Sequence, residues 1–477
     1  PPDVVRYIRH ISGKPKIRIH YKPAMVYAQN ETKSEIRDDY IKSYSSQGEY
    51  DSMYLYSSMN KEDVLHGNQI ILEKDEFLLL SYHQKLQKQD IKRAHLKMER
   101  TKVYWLNWAE RTNQFPEYQD DILRSALVLK LLSYNPSGAI LAALTTSIPE
   151  TIGEERNWDY RFCWIRDASM TIKVLSSLGH YNVARRYLNY VIKLVPVKDE
   201  PVQIMYGING EKKLTEKILD HLDGYEGSTP VRIGNAAYKQ KQNDIFGVLV
   251  DVIYQLFKMF DVTLANSEEL WTITRSLLKV VKNTWREPDR GIWEIRKSNK
   301  HFTFSKVLCW VAADRGVKIA RMIKMNDYVS EWSELRDEIK QDILDNAWND
   351  DINAFAQAYG SSELDAANLL MESYGFLKAD DEKYKATVYA TEKNLTRNGL
   401  MYRYRTPDDY GVPQSSFTIC TFWLITAMHR IGEKKKAREM FDRVLSYSNH
   451  LGLFSEDIDF DTKRLLGNFP QAYSHLA

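Results

Sequence analysis

Residues 121–133 read Asp121-Ile-Leu-Arg-Ser-Ala-Leu-Val-Leu-Lys-Leu-Leu-Ser133. Ile122, Leu123, Ala126, Leu127, Leu129 and Leu131 fall at helical spacing, a few residues after Pro116. From there helical periods recur over about 121–133, 167–179, 181–195, 244–261, 267–284, 304–323, 328–347, 363–377, 382–397, 416–431 and 434–449. Their spacing is too irregular for a short fixed repeat such as a tetratricopeptide array. One more helix opens after Pro470 and stops at Ala477. Eleven helices and a truncated twelfth predict a closed ring of helical hairpins.

Upstream the pattern is different. Val4 to Ile11, Lys16 to His20, Met53 to Tyr56, two apolar stretches within Gln69 to Leu80, and Val103 to Trp108 read as short strands. Lys85 to Arg100 is highly charged and reads as a surface helix or a solvated loop. The division expected is a β-rich domain over 1–112 and a helical domain over 113–477.

Composition narrows the function classes. The 477 residues carry a formal net charge of +2, which gives no electrostatic footprint for nucleic acid or an anionic membrane surface. The longest apolar run near the C-terminus, Ile419 to Met428, is about half of what a membrane-spanning helix needs. Cys163, Cys309 and Cys420 are widely spaced and odd in number, so a disulfide framework is not indicated and a reducing, cytoplasmic location is expected. The opening Pro1-Pro2-Asp3 is neither an initiator Met nor a charged-then-apolar leader. Aromatic residues reach 12%, which suits sugar or base stacking as well as core packing.

Long connections rich in Gly, Trp, Tyr, Arg and acidic residues, at 134–166, 205–237, 285–303, 398–415 and 450–470, read as the walls of an active site. Three of them carry candidate chemistry. In Asn157-Trp-Asp-Tyr-Arg-Phe-Cys-Trp-Ile-Arg-Asp167, Arg166 and Asp167 stand beside Trp158 and Trp164, offering hydrogen bonds next to stacking surfaces. The same pair reads equally as a helix-start carboxylate with an internal salt bridge. In Gly291-Ile-Trp-Glu-Ile-Arg296, a carboxyl beside the Trp293 indole would hold its proton for donation, unless Glu294 is simply paired with Arg296. In Gly452-Leu-Phe-Ser-Glu-Asp-Ile-Asp459, Glu456 is a candidate general base, with a cation site on the clustered carboxylates as the alternative.

These strings, with HFTFSKVLCWVAADR (301–315), RTPDDYG before SSFTICTFWL, and the run from Gly452 to Ala477, resemble glycoside hydrolase family 15, which holds glucoamylases, glucodextranases and a branch of prokaryotic trehalases. The resemblance covers about 120–477, with four separated motifs in the family's order. It implies a mainly α fold, an (α/α)6 barrel preceded by a β-sandwich-type domain that is short here, so part of the sandwich is absent or reduced. It implies an inverting exo-acting hydrolase with Glu294 as acid and Glu456 as base, releasing β-glucose from α-glucosides. Arg166 and Asp167 match the pair gripping the non-reducing glucose, Arg405 before Pro407 matches a substrate-binding Arg, and Trp164 and Trp293 match pocket aromatics. Trp158 is taken as part of the same pocket. Fungal glucoamylases carry a second Glu after the acid, where this chain has Ile295.

The family leans the expectation to a glucoamylase-type enzyme, with α,α-trehalase as the alternative. A phosphorylase of the same architecture would lack a base such as Glu456, and a helical glycan-binding scaffold would not concentrate Trp, Arg and Glu in five loops. No cofactor is expected and no metal, since the histidines, His180, His221, His301 and His475 among them, form no His-Glu-x-x-His. The expected partner is an α-linked oligosaccharide or disaccharide substrate. Neither nucleic acid nor membrane is expected, and a homo-oligomer is compatible with the sequence.

Overall fold

The computed structural model describes residues 3–195, 202–260, 264–296 and 298–477. The chain divides into two compact units, Pro1–Arg111 and Thr112–Ala477.

The first unit has strands β1 (Asp3–Ile8), β2 (Lys16–Arg18), β3 (Thr32–Ile36), β4 (Ile41–Ser45), β5 (Ser52–Ser57), β6 (Gln69–Ile71) and β7 (Glu76–Tyr82), and helices α1 (Lys61–His66) and α2 (Ile91–Ala109). Five strands form one antiparallel sheet in the order β1-β7-β5-β4-β3, and β2 pairs with β6 as a separate ribbon. Successive side chains of β7 serve opposite faces, as the strand period requires. Leu78 packs with Ile41, Leu55 and Val64 of α1 together with Ile17 and Ile70 of the ribbon, while Phe77 and Leu79 pack with Tyr56 and Ala94 of α2. The second layer of the expected sandwich is therefore only a two-stranded ribbon and a short helix. Val103 to Trp108 is not a strand but the last turns of α2. Its β-favouring side chains are overridden by a continuous 19-residue helix capped at its start by Asp90, whose carboxylate accepts from the Arg93 N–H at 2.8 Å.

In the second unit the helices are α3 (Gln119–Leu132), α4 (Ala168–Ser177), α5 (Tyr181–Leu194), α6 (Asp244–Met259), α7 (Leu264–Thr284), α8 (Thr303–Met322), α9 (Asn326–Asn346), α10 (Glu382–Leu395), α11 (Thr418–Arg430), α12 (Lys434–Leu445) and α13 (Ala472–Leu476). Residue 261, the last of the span expected for α6, lies outside the described residues. The helix expected over 363–377 is only a 3-10 turn, Ala366–Met371. There the Asp365 carboxylate accepts from the Ala367 N–H and the Asn368 side chain donates to the Phe355 and Ala356 carbonyls, so side chains take the place of an α-helical ladder.

The packing closes a ring. Around it α4 meets α6, α6 meets α8, α8 meets the 3-10 turn, the turn meets α11, α11 meets α13, and α13 returns to α4. Outside, α5 backs α4, α9 backs α8, α12 backs α11 and α3 backs α13, while α7 touches both α6 and α8 and α10 touches both the 3-10 turn and α11. This is an (α/α)6 barrel. Composition sorts the layers: α8 is buried on almost every side, whereas α12, Lys-Lys-Lys-Ala-Arg-Glu-Met-Phe-Asp-Arg-Val-Leu, buries only Ala437 and Val444. Gly247 lets α6 and α8 touch, since a Cβ there would sit 2.1 Å from the Leu308 carbonyl oxygen. No described helix is long and apolar enough to cross a membrane. All three cysteines are buried and unpaired.

Candidate active site

The loops at one end of the inner ring enclose a cleft of about 850 Å³, solvent at its mouth included. Trp158, Trp164, Arg166, Asp167, Trp293, Glu294 and Glu456 all line it. Arg405 does not. It is exposed, donates to the Asn394 carbonyl at 3.4 Å and lies over the Tyr402 ring. The cleft arginine from that loop is Arg403, two residues earlier. The segment has no strand or helix period to fix which side chain turns inward, and a buried partner decides it: Arg403 Nη1 reaches Glu150 Oε2 at 3.0 Å.

Arg166 and Asp167 enter at the start of α4. The Asp167 side chain does not cap that helix; it accepts from Arg166 Nε at 3.1 Å. Arg166 Nη1 also donates to the Ile292 carbonyl at 2.8 Å and lies 3.3 Å from Glu294 Oε1. Glu294 itself takes a left-handed backbone, φ 60°, which non-glycine residues avoid unless their surroundings hold them. Here three groups hold it. Gln240 Nε2 donates to its carbonyl at 2.9 Å, and Trp164 Nε1 and Arg166 both donate to Oε1. Burial raises the Glu294 carboxyl above the usual range, with Arg166 and Trp164 opposing. The pairing of Glu294 with Arg296 that the sequence allowed does not occur; Arg296 binds Glu216, its Nη2 3.0 Å from Oε2.

Trp293 is fixed by Asp365, whose two carboxylate oxygens each accept from the indole N–H at 2.9 Å. Burial pushes the Asp365 carboxyl up to about 6. Trp164 packs edge-on against Tyr160. Trp158 is not an open platform, because the guanidinium carbons of Arg296 and Arg232 lie 4.4 and 4.5 Å from its ring centroid.

Glu456 is 1% exposed, and its backbone is clamped on both sides: its N–H donates to the Asn468 carbonyl at 3.2 Å and its carbonyl accepts from the Thr418 N–H at 2.9 Å. Next to it Phe417 pairs with Asp457 in a small three-stranded sheet. Among the described residues neither Glu456 oxygen accepts a hydrogen bond of ordinary geometry. Asp457 accepts from Ser415 at 2.9 Å. Burial raises the Glu456 carboxyl, the Glu150 charge adds to the rise, and Tyr160 and Arg403 oppose it. Gly467 is packed against this group: a Cβ there would come 2.9 Å from Glu456 Oε2.

Sequence reasoning missed Glu150, Arg156, Tyr160, Glu216, Arg403 and Tyr473, and named Arg296 only as a possible partner of Glu294. Tyr160 and Arg403 lay inside or beside strings already singled out. Glu150 and Glu216 gave no signal, since each is a single carboxylate whose partner is distant in sequence. Arg156 likewise acts through distant groups, donating to Asp408 at 2.7 Å and the Gly411 carbonyl at 2.8 Å.

Comparison with known proteins adds lineage to this geometry. The sequence profile described as Glycosyl hydrolases family 15 matches residues 116–477. A protein named trehalase from Mycolicibacterium smegmatis is 41% identical over 409 residues, covering 84% of this chain and 60% of the relative. A trehalase from Thermoplasma volcanium is 36% identical over 480 residues, covering all of this chain and 76% of the relative. The chain thus spans about 60% of the length of the mycobacterial relative. A bacterial glucoamylase solved in complex with acarbose shares the fold at a TM-score of 0.66 with 15% identity, over 92% of this chain and 72% of that one.

Proposed function

The chain belongs to glycosyl hydrolase family 15, and from that premise we propose that it hydrolyses α,α-trehalose with inversion, Glu294 acting as general acid and Glu456 as general base. The observation that carries the substrate is the 36% identity to a trehalase along the whole chain. The glucoamylase-type reading expected from the sequence gives way to its alternative, because likeness to glucoamylases stands at 15% identity and speaks for fold alone.

An inverting glycosidase places an acid and a base on opposite sides of the scissile bond, with room for water beside the base. Oε1 of Glu294 accepts from Trp164 and Arg166, so the proton it donates sits on Oε2. That proton passes to the glycosidic oxygen as the C1–O bond breaks. Glu456 takes a proton from the attacking water, and its rigid backbone fixes the direction of attack. Arg166 and Asp167 hold hydroxyls of the cleaved glucose, Trp164 and Trp293 bound its apolar faces, and Arg403 takes the role first given to Arg405.

The test is a comparison of trehalose, maltose, isomaltose and maltotriose by released glucose. A kcat/KM for trehalose at least tenfold above that for maltotriose, about 1.4 kcal/mol in transition-state binding, is the result expected. The reverse order would return the assignment to a glucoamylase-type enzyme.

A further inference from the structure

Cleaving a disaccharide and refusing a polymer requires a second site that grips one more sugar. The deep end of the cleft is committed to the cleaved glucose by Arg166, Asp167 and Glu294. At the other end stands a charged assembly that the mechanism does not use. Arg296, two residues beyond Glu294, lines the cleft and also borders a shallow solvent-open groove with Gln240 and Arg290, which places it at the rim. Its side chain is 29% exposed, against 17% for Arg166 and 9% for Asp167.

Arg296 is held from several sides. Glu216 receives Nη2 at 3.0 Å and Nη1 at 3.4 Å, a two-pronged contact that matches guanidinium to carboxylate. The guanidinium carbon lies 4.4 Å from the Trp158 ring centroid, and the Arg296 backbone N–H donates to Asp409. Glu216 is pinned in turn by the Ala236 N–H at 3.1 Å and faces Arg232 Nε at 3.7 Å. Burial opposes ionisation of Glu216, but the Arg296 bond overrides it and holds the carboxyl below the usual range. Ile295 lies beside this group in the cleft wall, where fungal glucoamylases carry a carboxylate.

We infer that the Glu216–Arg296–Trp158 assembly is the binding wall for the second glucose, the sugar that leaves with the glycosidic oxygen, and that it sets the preference for a disaccharide; this rests on the trehalase reading. A guanidinium placed over an indole and pinned by a carboxylate presents its remaining N–H donors in a fixed plane to neighbouring ring hydroxyls. Little side-chain freedom is left to lose when the sugar binds, so the contact can be used in the transition state. The rigid rim also limits how far a longer chain can extend from the leaving sugar.

α-Glucosyl fluoride separates this site from the rest, because its leaving group is one atom and does not occupy the second site. Glu216→Gln releases Arg296, and Arg296→Met removes the donors while keeping an apolar stem on Trp158. For each variant, kcat/KM for trehalose should fall at least tenfold more than kcat/KM for α-glucosyl fluoride. Turnover of the fluoride also reports that the fold is intact. Equal losses on the two substrates would overturn the inference, since they would mean that the assembly supports the acid loop rather than the second sugar. If the unaltered enzyme cleaves maltotriose and not trehalose, the trehalase reading falls first, and the same ratio measured with maltotriose then decides whether the wall binds a leaving sugar.

Discussion

What touches each oxygen of a carboxyl group decides what that group can do. Glu294 has donors on one oxygen and a raised affinity for its proton; among the described residues Glu456 has only Tyr160 near its oxygens as a weak donor, in a buried, acidic corner shared with Glu150 and Asp457. Replacing either by Gln should lower kcat roughly a hundred- to ten-thousandfold with little change in folding. Azide should partly rescue only the Glu456 variant, and near-normal turnover by Glu456→Gln would remove its assignment as base. The pH profile follows from the signs. On the proposed roles, activity requires Glu456 ionised and Glu294 protonated, so it should fall on either side of the range where both states coexist. Burial raises both, so both limbs should lie above the ordinary carboxylate value of about 4.3. Glu150→Gln removes one like charge and releases Arg403, both of which favour ionised Glu456, so the limb that titrates Glu456 should shift to lower pH while the limb that titrates Glu294 stays. A profile with neither limb moved would detach Glu150 from Glu456. At this scale the motif strings named Glu294, Glu456, Arg166 and Asp167, which all line the cleft, but they named Arg405 in place of Arg403, because the deciding ion pair comes from Glu150 far along the chain.

Between elements, the inner ring is joined by one buried charged cluster. Asp251 of α6 receives Arg315 Nε of α8 at 2.7 Å, Lys173 Nζ of α4 at 3.0 Å and Gln255 Nε2 at 2.7 Å, with Ser169 of α4 on the same carboxylate. Arg315 extends the link through Nη2 to the Tyr374 carbonyl at 2.9 Å, beyond the 3-10 turn. Burial opposes the Asp251 charge, but Lys173 and Arg315 override it and hold the carboxyl well below its usual range. Removing the carboxylate leaves Arg315 with Asp314 as its remaining counter-charge and strands the donors of Ser169 and Gln255, so Asp251→Ala should destabilise by about 1–3 kcal/mol in urea or thermal unfolding. A lowered folded pKa contributes stability at pH above the unfolded value of about 3.9 and loses it as pH falls through the folded value. Asp251→Asn should therefore flatten part of the loss of stability below pH about 4, and unchanged acid sensitivity would assign that loss to other carboxyls. The helices around this cluster were legible because apolar periodicity survives in both layers of the ring. The 3-10 turn was not, since Asp365 and Asn368 replace backbone bonds with side-chain bonds that no periodicity records. Val103 to Trp108 failed for the opposite reason, local β preference giving way to a longer helix.

For the whole molecule, the site exists only when the ring is shut. Its groups come from loops before α4, before α8, before α11 and before α13, and the last of these closes back on the first: the Ala472 N–H donates to the Ala142 carbonyl at 2.8 Å, and Asn468 Nδ2 to the Trp158 carbonyl at 2.9 Å. Closure holds Glu456 and Glu294 in one cleft, and the roles proposed for them predict a stereochemical outcome. Trehalose joins two glucoses through both anomeric carbons, each in the α configuration. On the proposed roles, water activated by Glu456 would attack C1 of one glucose from the side opposite the bond that breaks, so that glucose should emerge as the β anomer. The other would keep its own C1–O bond, receive the proton from Glu294, and emerge as α. Proton NMR in the first moments of reaction, before mutarotation, should therefore show equal amounts of α- and β-glucose, and in ¹⁸O-labelled water the label should enter only the β anomer. Two α products at the outset, with label in an α anomer, would mean retention at the attacked carbon through a glycosyl-enzyme intermediate and would remove the inverting assignment.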